Sequence, residues 1–127
     1  MDMSPYLENK LNDHVLKATT YTAPAAVYVA LYNGDPLGAG TEVTTTIRPA
    51  GRVAATFAAS ASGVSETSAD VDFGDADAGA TVSYVAIMDA ASSGNILYRG
   101  ALTGGSQAIT AGNAVKINST ELSVTLD

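Results

Sequence analysis

The alternation of apolar and polar residues is clearest over residues 81–103, which read TVSYVAIMDAASSGNILYRGALT. In an extended strand, residues of the same parity share a face. Here one parity consists of Val82, Tyr84, Ala86 and Met88, and the other of Ser83, Val85 and Ile87. Because both sets are largely apolar, we expect a central strand covered on both faces. Residues 90–94 predict a turn, since Gly94 can adopt the positive φ of a hairpin loop, and residues 96–102 predict the return strand.

A helix is predicted close to the N-terminus. Ser4 can cap the first free backbone N–H groups, and Pro5 suits the first helical position, where the missing N–H costs no hydrogen bond. An apolar stripe follows at intervals of four residues and consists of Leu7, Leu11 and Val15. The helix is expected to end before Thr19. Because the stripe is narrow, it should pack against a single surface, either of its own domain or of another subunit.

The chain from Tyr21 onward is predicted to be β. Alternating apolar residues favour strands at residues 27–32, 52–58, 107–109, 114–117 and 122–126, with shorter pieces at 42–46 and 71–73. Residues 33–36, 74–79 and 110–113 predict turns or loops. Turn signals recur about every ten residues, which is typical of a sandwich or barrel. We therefore predict an all-β antiparallel β-sandwich, jelly-roll or immunoglobulin-like, at residues 21–127, after a short N-terminal α-helix and arm at 1–20.

Composition and charge narrow the classes of function. The 127 residues carry a net charge of -7, which argues against a non-specific grip on nucleic acid and against attraction to an anionic membrane. The chain has no Cys, so disulfides and thiolate metal sites are excluded. No apolar run of about 18 residues and no basic region followed by an apolar run is present, so neither a membrane span nor a secretory signal is expected. With six Tyr, two Phe and no Trp, the core should be thin, and we expect association with other copies to add burial.

Four carboxylates lie close together in the segment DVDFGDAD, namely Asp70, Asp72, Asp75 and Asp77. Dense carboxylates can bind Ca²⁺, but the spacing lacks the ligand at the fifth position and the closing Glu of a helical calcium loop. Alternation places Asp70 and Asp72 on one strand face, as in a solvated acidic edge that prevents pairing between edge strands. We predict no metal and no cofactor, and keep these four aspartates as the candidates for an ion site.

No catalytic constellation is found. His14 is the single histidine and is interpreted as a packing or surface residue, because no GxSxG elbow accompanies it. The glutamates are scattered and suggest no pair for glycoside cleavage: Glu8, Glu42, Glu66 and Glu121. Arg48 and Arg52 flank a Pro-Ala-Gly loop, where an Arg can either remain solvated or hold a carboxylate of a neighbouring subunit bidentately. We predict a protein that is not an enzyme, with Leu7, Leu11, Val15, Arg48 and Arg52 as interface candidates.

Several segments, in the same order, resemble a known family. They are YLENKLNDHVL, YTAPAAVYVALYNGDP, GTEV, VDF, VSYVAIMDAASSGNILYRGALT and LSVTLD. Together they cover nearly the whole chain, which resembles a family of small tailed-bacteriophage virion structural proteins commonly labelled phage tail fibre proteins. Where this chain has TTTIRPAGR, that family usually carries aromatic or Gly-rich residues. The resemblance implies a component of the phage particle, assembled in the bacterial cytoplasm, and it carries no catalytic residues over to this chain.

Within that resemblance two functions are open. The main hypothesis is a capsid decoration or cement protein that forms a homotrimer on the outside of the shell and stabilises it by binding the major capsid protein. It is motivated by the thin core and by the absence of heptads or repeats that would build a shaft. The alternative is a tail fibre or tail-tip module for host attachment, with Tyr21, Tyr28 and Tyr32 as candidate receptor contacts. A glycan-binding or glycan-degrading domain is a third hypothesis and requires a carboxylate pair in a cleft. Neither nucleic acid nor membrane is an expected partner.

Overall fold

The computed structural model describes residues 1–126, and these residues form mostly β-structure with two helices. The helices are α1 (Pro5–Leu16) and α2 (Thr44–Ile47). The strands are β1 (Asp2–Met3), β2 (Val27–Asn33), β3 (Thr41–Glu42), β4 (Val53–Ala55), β5 (Val64–Glu66), β6 (Val71–Asp75), β7 (Ala80–Val82), β8 (Tyr84–Met88), β9 (Ile96–Ala101), β10 (Gln107–Ile109), β11 (Ala114–Ile117) and β12 (Ser123–Thr125). They build an all-β, sandwich-like fold with the short helix at its start, as the sequence predicts.

One layer is an antiparallel main sheet. Its strand order is β1-β9-β8-β2-β3, and β4 pairs with β2 beyond the short β3 ladder. At the centre, Val29 faces Ile87 on the inner side of the sheet, and Ala30 faces Ala86 on the outer side. The residues of β8 from Val85 onward are all buried. The predicted central strand with both faces covered is therefore confirmed.

The other layer is one long antiparallel ribbon that is interrupted twice. Its ladders are β7 with β10, β6 with β11, and β5 with β12. All three keep nearly the same register, so that Val82 lies opposite Gln107 at one end and Val64 opposite Thr125 at the other. Residues 64–82 and 107–125 are thus the two arms of a single hairpin. The β8–β9 hairpin of the main sheet is the inner end of the same hairpin.

Ser83 carries the chain from the ribbon into the main sheet. Its N–H donates to the Tyr32 carbonyl and its own carbonyl accepts from the Leu102 N–H, both at 2.9 Å. This residue belongs to neither β7 nor β8, so the alternation of faces is offset across it. Val82 packs in the core between the layers, whereas Tyr84 lies in the cluster on the outer face of the main sheet. The prediction that these two side chains share a face is wrong, because a residue that belongs to neither strand separates two strands that looked continuous in the sequence.

The core lies between the two layers. Its buried members are Val29, Leu31, Ile47, Ala55, Val71, Phe73, Ala76, Val82, Val85, Ile87, Leu122 and Val124. Phe73 is the single aromatic side chain in this set, so most of the core is built from small and medium-sized residues. Ile47 is fully buried although it comes from the four-residue helix α2. That short helix therefore closes one end of the core.

Most predicted elements agree with the structure, and three boundaries do not. The strand predicted at residues 42–46 is only the end of β3 followed by α2, and the strand predicted at 52–58 ends at Ala55. Beyond that point Phe57 makes an isolated bridge to Thr67. The loop predicted from residue 74 begins later, because β6 continues to Asp75. The boundary between an arm at 1–20 and a sandwich at 21–127 stays a prediction, and β1, within that arm, already pairs with β9.

Candidate functional site

Helix α1 is fixed to the sandwich at its first turn and leaves it afterwards. The backbone N–H and the hydroxyl of Ser4 both donate to carbonyl oxygens of β9, and its Oγ accepts from the Leu7 N–H at 3.2 Å. The predicted N-cap is therefore confirmed. Leu7 is buried, whereas Val15 and Leu16 at the other end of the helix are 74% and 78% exposed. The helix therefore presents two large apolar side chains, a surface that we call the helix tip.

The segment that returns from the helix tip to β2 is tied back to the helix. The Lys17 and Thr19 N–H groups donate to the Asp13 carbonyl at 3.0 and 3.1 Å and close the helix. The Tyr21 N–H donates to Nδ1 of His14 at 3.2 Å. Partial burial raises the pKa of the Tyr21 phenol above its ordinary value. His14 thus serves as an acceptor for this returning segment, and the helix tip is held in a defined direction.

The sequence-predicted interface residues lie in different environments. Leu7 is buried within its own domain, Leu11 is half-buried and Val15 is exposed. Arg48 donates from Nη1 to the Gly51 carbonyl at 2.8 Å and to the Arg52 carbonyl at 3.2 Å. The role of these five residues in an interface stays a prediction. Among them, Val15 is the residue with an exposed apolar side chain that can contact another protein. The exposure of Leu16 was not predicted, since periodicity places it only beside the stripe.

Arg52 joins three parts of the chain. Its Nη2 and Nε lie 2.8 and 3.0 Å from the two carboxylate oxygens of Glu42. Its Nη1 donates to the Ala90 and Ser93 carbonyls, both at 2.8 Å. The Arg52 side chain is only 6% exposed. The guanidinium therefore binds the β8–β9 loop to β3 within one chain, and four of its five N–H donors are used in doing so.

Glu42 is held from its other side by Thr44. The Thr44 hydroxyl donates to Oε2 of Glu42 at 2.7 Å and accepts from the Leu31 N–H at 2.9 Å. The hydrogen bond from Arg52 holds the pKa of Glu42 below its ordinary value, and the same contact raises the pKa of Arg52. This network, which we call the Glu42–Arg52 clasp, is a structural connection between β2, β3 and the β8–β9 loop. Sequence reasoning missed it because nine residues, helix α2 among them, separate the two partners.

The four predicted aspartates are exposed, with Asp70 directly before β6, Asp72 and Asp75 within it, and Asp77 in the loop after it. Asp70 accepts from the Ser119 N–H at 2.8 Å and lies 3.7 Å from Nζ of Lys116. Asp72 accepts from the Gly74 N–H at 2.8 Å. Across residues 1–126, no three carboxylate or imidazole groups come close enough to hold a metal ion.

Several clefts open between the layers, among them a polar one and an apolar one. The larger, of about 540 Å³, lies between the β1–β9 edge and residues 116–123 and has Asp2 and Glu121 on its border. The Asp2 side chain is 82% exposed, and its carboxylate lies 3.0 Å from Nη1 of Arg99. The other cleft, of about 240 Å³, is mainly apolar and contains Phe57 and Tyr98. Asp2 and Glu121 are both in the lining of the larger cleft, and the Asp2 carboxylate there is paired with Arg99. Over residues 1–126, the two helices are too short and too polar to cross a membrane.

Comparison with known proteins identifies the family. The family described as "Podophage GP4 fiber I protein gp80" matches residues 2–125, nearly the full length of the chain. A search of curated proteins found no match. The family description names a fibre protein of a phage, which confirms the resemblance to tailed-phage virion proteins. The chain belongs to the podophage GP4 fiber I protein gp80 family, and it is a phage virion structural protein.

Proposed function

We propose that this protein is a non-enzymatic subunit of a phage fibre and that it is attached through the helix tip. Family membership supports the fibre, and the exposed helix tip is the observation that carries the mode of attachment. Two large apolar side chains project from a helix whose base is fixed to β9. Burying their exposed surface against a partner would contribute about 2–4 kcal/mol. A helix fixed at one end loses little further entropy on docking.

The proposed partner is a protein surface with an apolar groove, as in other cases where an amphipathic helix docks through its apolar face. The net charge of -7 favours a partner with basic residues around that groove. Association with further copies of the chain, expected from the sequence as a homotrimer, is part of this proposal. A single species of 12.8 kDa by light scattering at micromolar concentration would contradict self-association in free solution.

Capsid decoration is the second candidate function. It is favoured by the shape of the described part of the chain, in which the longest helix has 12 residues and no shaft extends from the sandwich. A compact subunit of this kind could lie flat on the capsid shell and bind the major capsid protein there. The fibre proposal instead requires many copies, or another extended protein, to produce length.

The two candidates are separated by locating the protein on the particle. A phage that lacks the gene is complemented with the wild-type chain, and particles with and without the protein are compared by cryo-electron microscopy. Difference density confined to projections at the tail supports the fibre. Density repeated over the whole shell would overturn the fibre proposal in favour of decoration.

Attachment through the helix tip is tested in the same complementation system. The V15D/L16D double variant should fold normally, but its copy number per particle should fall at least about tenfold, because two charges at a docking face cost several kcal/mol. Leu37→Asp is the matched control, since Leu37 is an exposed apolar residue outside the helix. Quantitative mass spectrometry of purified particles gives the copy numbers. Wild-type incorporation of V15D/L16D would show that the attachment does not use the helix tip.

A further inference from the structure

The end of β2 contains the single Asn-Gly step of the sequence, Asn33-Gly34. Such steps are the most prone to spontaneous deamidation in flexible chains. The reason is that glycine has no side chain to shield its backbone nitrogen from the side-chain carbonyl carbon of the preceding Asn. Asn33 is exposed to water. The chain therefore carries a chemically labile step at the turn that leads from β2 to β3.

The turn itself requires this glycine. Gly34 has φ of +91°, which L side chains rarely adopt. A Cβ atom on Gly34 would also lie 2.9 Å from the Cα atom of Gly40, closer than real Cβ contacts come. Replacement of Gly34 would therefore disturb the turn. The labile step is a consequence of the backbone that connects β2 to β3.

In the folded chain the Gly34 nitrogen is engaged elsewhere. Its N–H donates to Oγ of Ser83 at 2.7 Å, and this contact is partly buried. Ser83 is itself held by its backbone bonds to Tyr32 and Leu102, at the crossing between ribbon and main sheet. We propose that Asn33-Gly34 is a latent deamidation site and that the Ser83 hydroxyl keeps it unreactive as long as the domain is folded.

The proposed reaction needs only water. The Gly34 nitrogen loses its proton to solvent and bonds to Cγ of Asn33, while the side-chain amide nitrogen takes up a proton and leaves as ammonia. Water then adds to either carbonyl carbon of the resulting succinimide, and ring opening gives aspartate or isoaspartate. The net change is amide plus water to carboxylic acid plus ammonia. The hydrogen bond to Ser83 opposes the first step, because it holds the N–H away from the bases in solvent.

Reaction at this step would alter the main sheet. Isoaspartate places an additional atom in the backbone at Asn33, which pairs with Thr41 in the short β2–β3 ladder. It also adds a negative charge close in sequence to Asp35. The Oδ1 atom of Asp35 lies 2.9 Å from Nε of Arg99, an ion pair that lacks the angle of a hydrogen bond. The neighbouring pair in that ladder is Tyr32 and Glu42, so the damage would reach the Glu42–Arg52 clasp.

The proposal is tested by incubating purified protein at 37 °C and mild alkaline pH, with deamidation at each Asn followed by peptide mapping and mass spectrometry. In the folded wild type, Asn33 should react at least about tenfold more slowly than in the same chain unfolded in urea. Ser83→Ala should speed the folded reaction about fivefold, which corresponds to a hydrogen bond of about 1 kcal/mol. Ser83→Thr keeps the hydroxyl and should react like the wild type.

Two references separate a local effect from a general loosening of the fold. Ser106→Ala removes an exposed loop hydroxyl and should leave the Asn33 rate unchanged. Asn118, which precedes Ser119, reports general opening within the same sample.

Equal rates in folded and unfolded wild type would overturn the proposal, and so would a Ser83→Ala protein that reacts no faster than wild type. A Ser83→Ala protein in which Asn33 and Asn118 accelerate together would also overturn it, since the hydroxyl would then act only on overall stability. If Ser83→Ala does not fold, the comparison of folded with unfolded wild type and the Ser83→Thr rate decide the question.

Discussion

Removal of the Arg52 side chain should destabilise the domain far more than removal of a typical surface charge. Arg52→Ala leaves the Ala90 and Ser93 carbonyls without donors and leaves Glu42 without its bidentate partner. Each lost hydrogen bond to a carbonyl costs about 1 kcal/mol. The lost ion pair adds about 1 kcal/mol, less than the cost for fully buried pairs, because the Glu42 side chain is 28% exposed and water can replace part of the contact.

The expected total is a loss of about 3 kcal/mol in the free energy of unfolding, or a fall in Tm of roughly 10 °C for a domain of this size. Urea denaturation followed by tyrosine fluorescence and circular dichroism measures it. The matched control is Lys116→Ala, whose ion pair with Asp70 is long and about half exposed on both sides, and which should cost less than about 0.5 kcal/mol. If Arg52→Ala costs no more than Lys116→Ala, the clasp does not hold the loop and the reasoning fails.

Further outcomes follow from the same contacts. Thr44→Val should cost about 2 kcal/mol in urea denaturation, because a buried N–H of β2 loses its acceptor, and a cost equal to that of an exposed Thr→Val change would contradict this. Ser4→Ala should cost about 1 kcal/mol and lower the helical signal in far-ultraviolet circular dichroism. Because the pKa of Glu42 is lower in the folded state, its contribution is present above the unfolded pKa of about 4.3 and is lost as the pH falls through the lower folded value. Stability measured from pH 6 to pH 3 should therefore fall less steeply for Glu42→Gln than for wild type. V15D/L16D should change the stability of the isolated protein by less than about 0.5 kcal/mol, since both side chains are exposed, and a larger loss would mean that the helix tip packs on its own domain.

The sequence was informative where local chemistry decides the structure. The pairing of Ser4 with Pro5 predicted the start of α1, and alternation predicted β2, β8 and β9 within a few residues. In each case the signal lies in neighbouring residues. Cap chemistry and the two-residue period of a strand act over a few positions, so they can be read before any tertiary contact is known.

Other features depend on contacts between distant residues. The run of threonines before Ile47 has weak helix propensity, and α2 forms where Thr44 accepts from a strand N–H and Ile47 enters the core. The two-layer arrangement depends on the break at Ser83. Across this residue the side chains switch faces, from Val82 in the core to Tyr84 on the outer face, and no Gly or Pro in the sequence marks the switch. The exposure of the helix tip also could not be predicted from the sequence. Periodicity predicts an apolar stripe along the helix but not which of its residues pack against the domain.

The single interrupted hairpin of the ribbon and the β8–β9 pair bears on how the chain reaches its native state. The turn at residues 89–95 closes the shortest loop, so pairing that starts there meets the smallest entropic barrier and can then extend outward to Val64 and Thr125. An early slip of one position would be inherited by every later ladder and would turn valines and isoleucines towards water. We therefore expect the folding nucleus to lie in β8 and β9, and the last-formed β5–β12 ladder to be the first to open in the assembled particle.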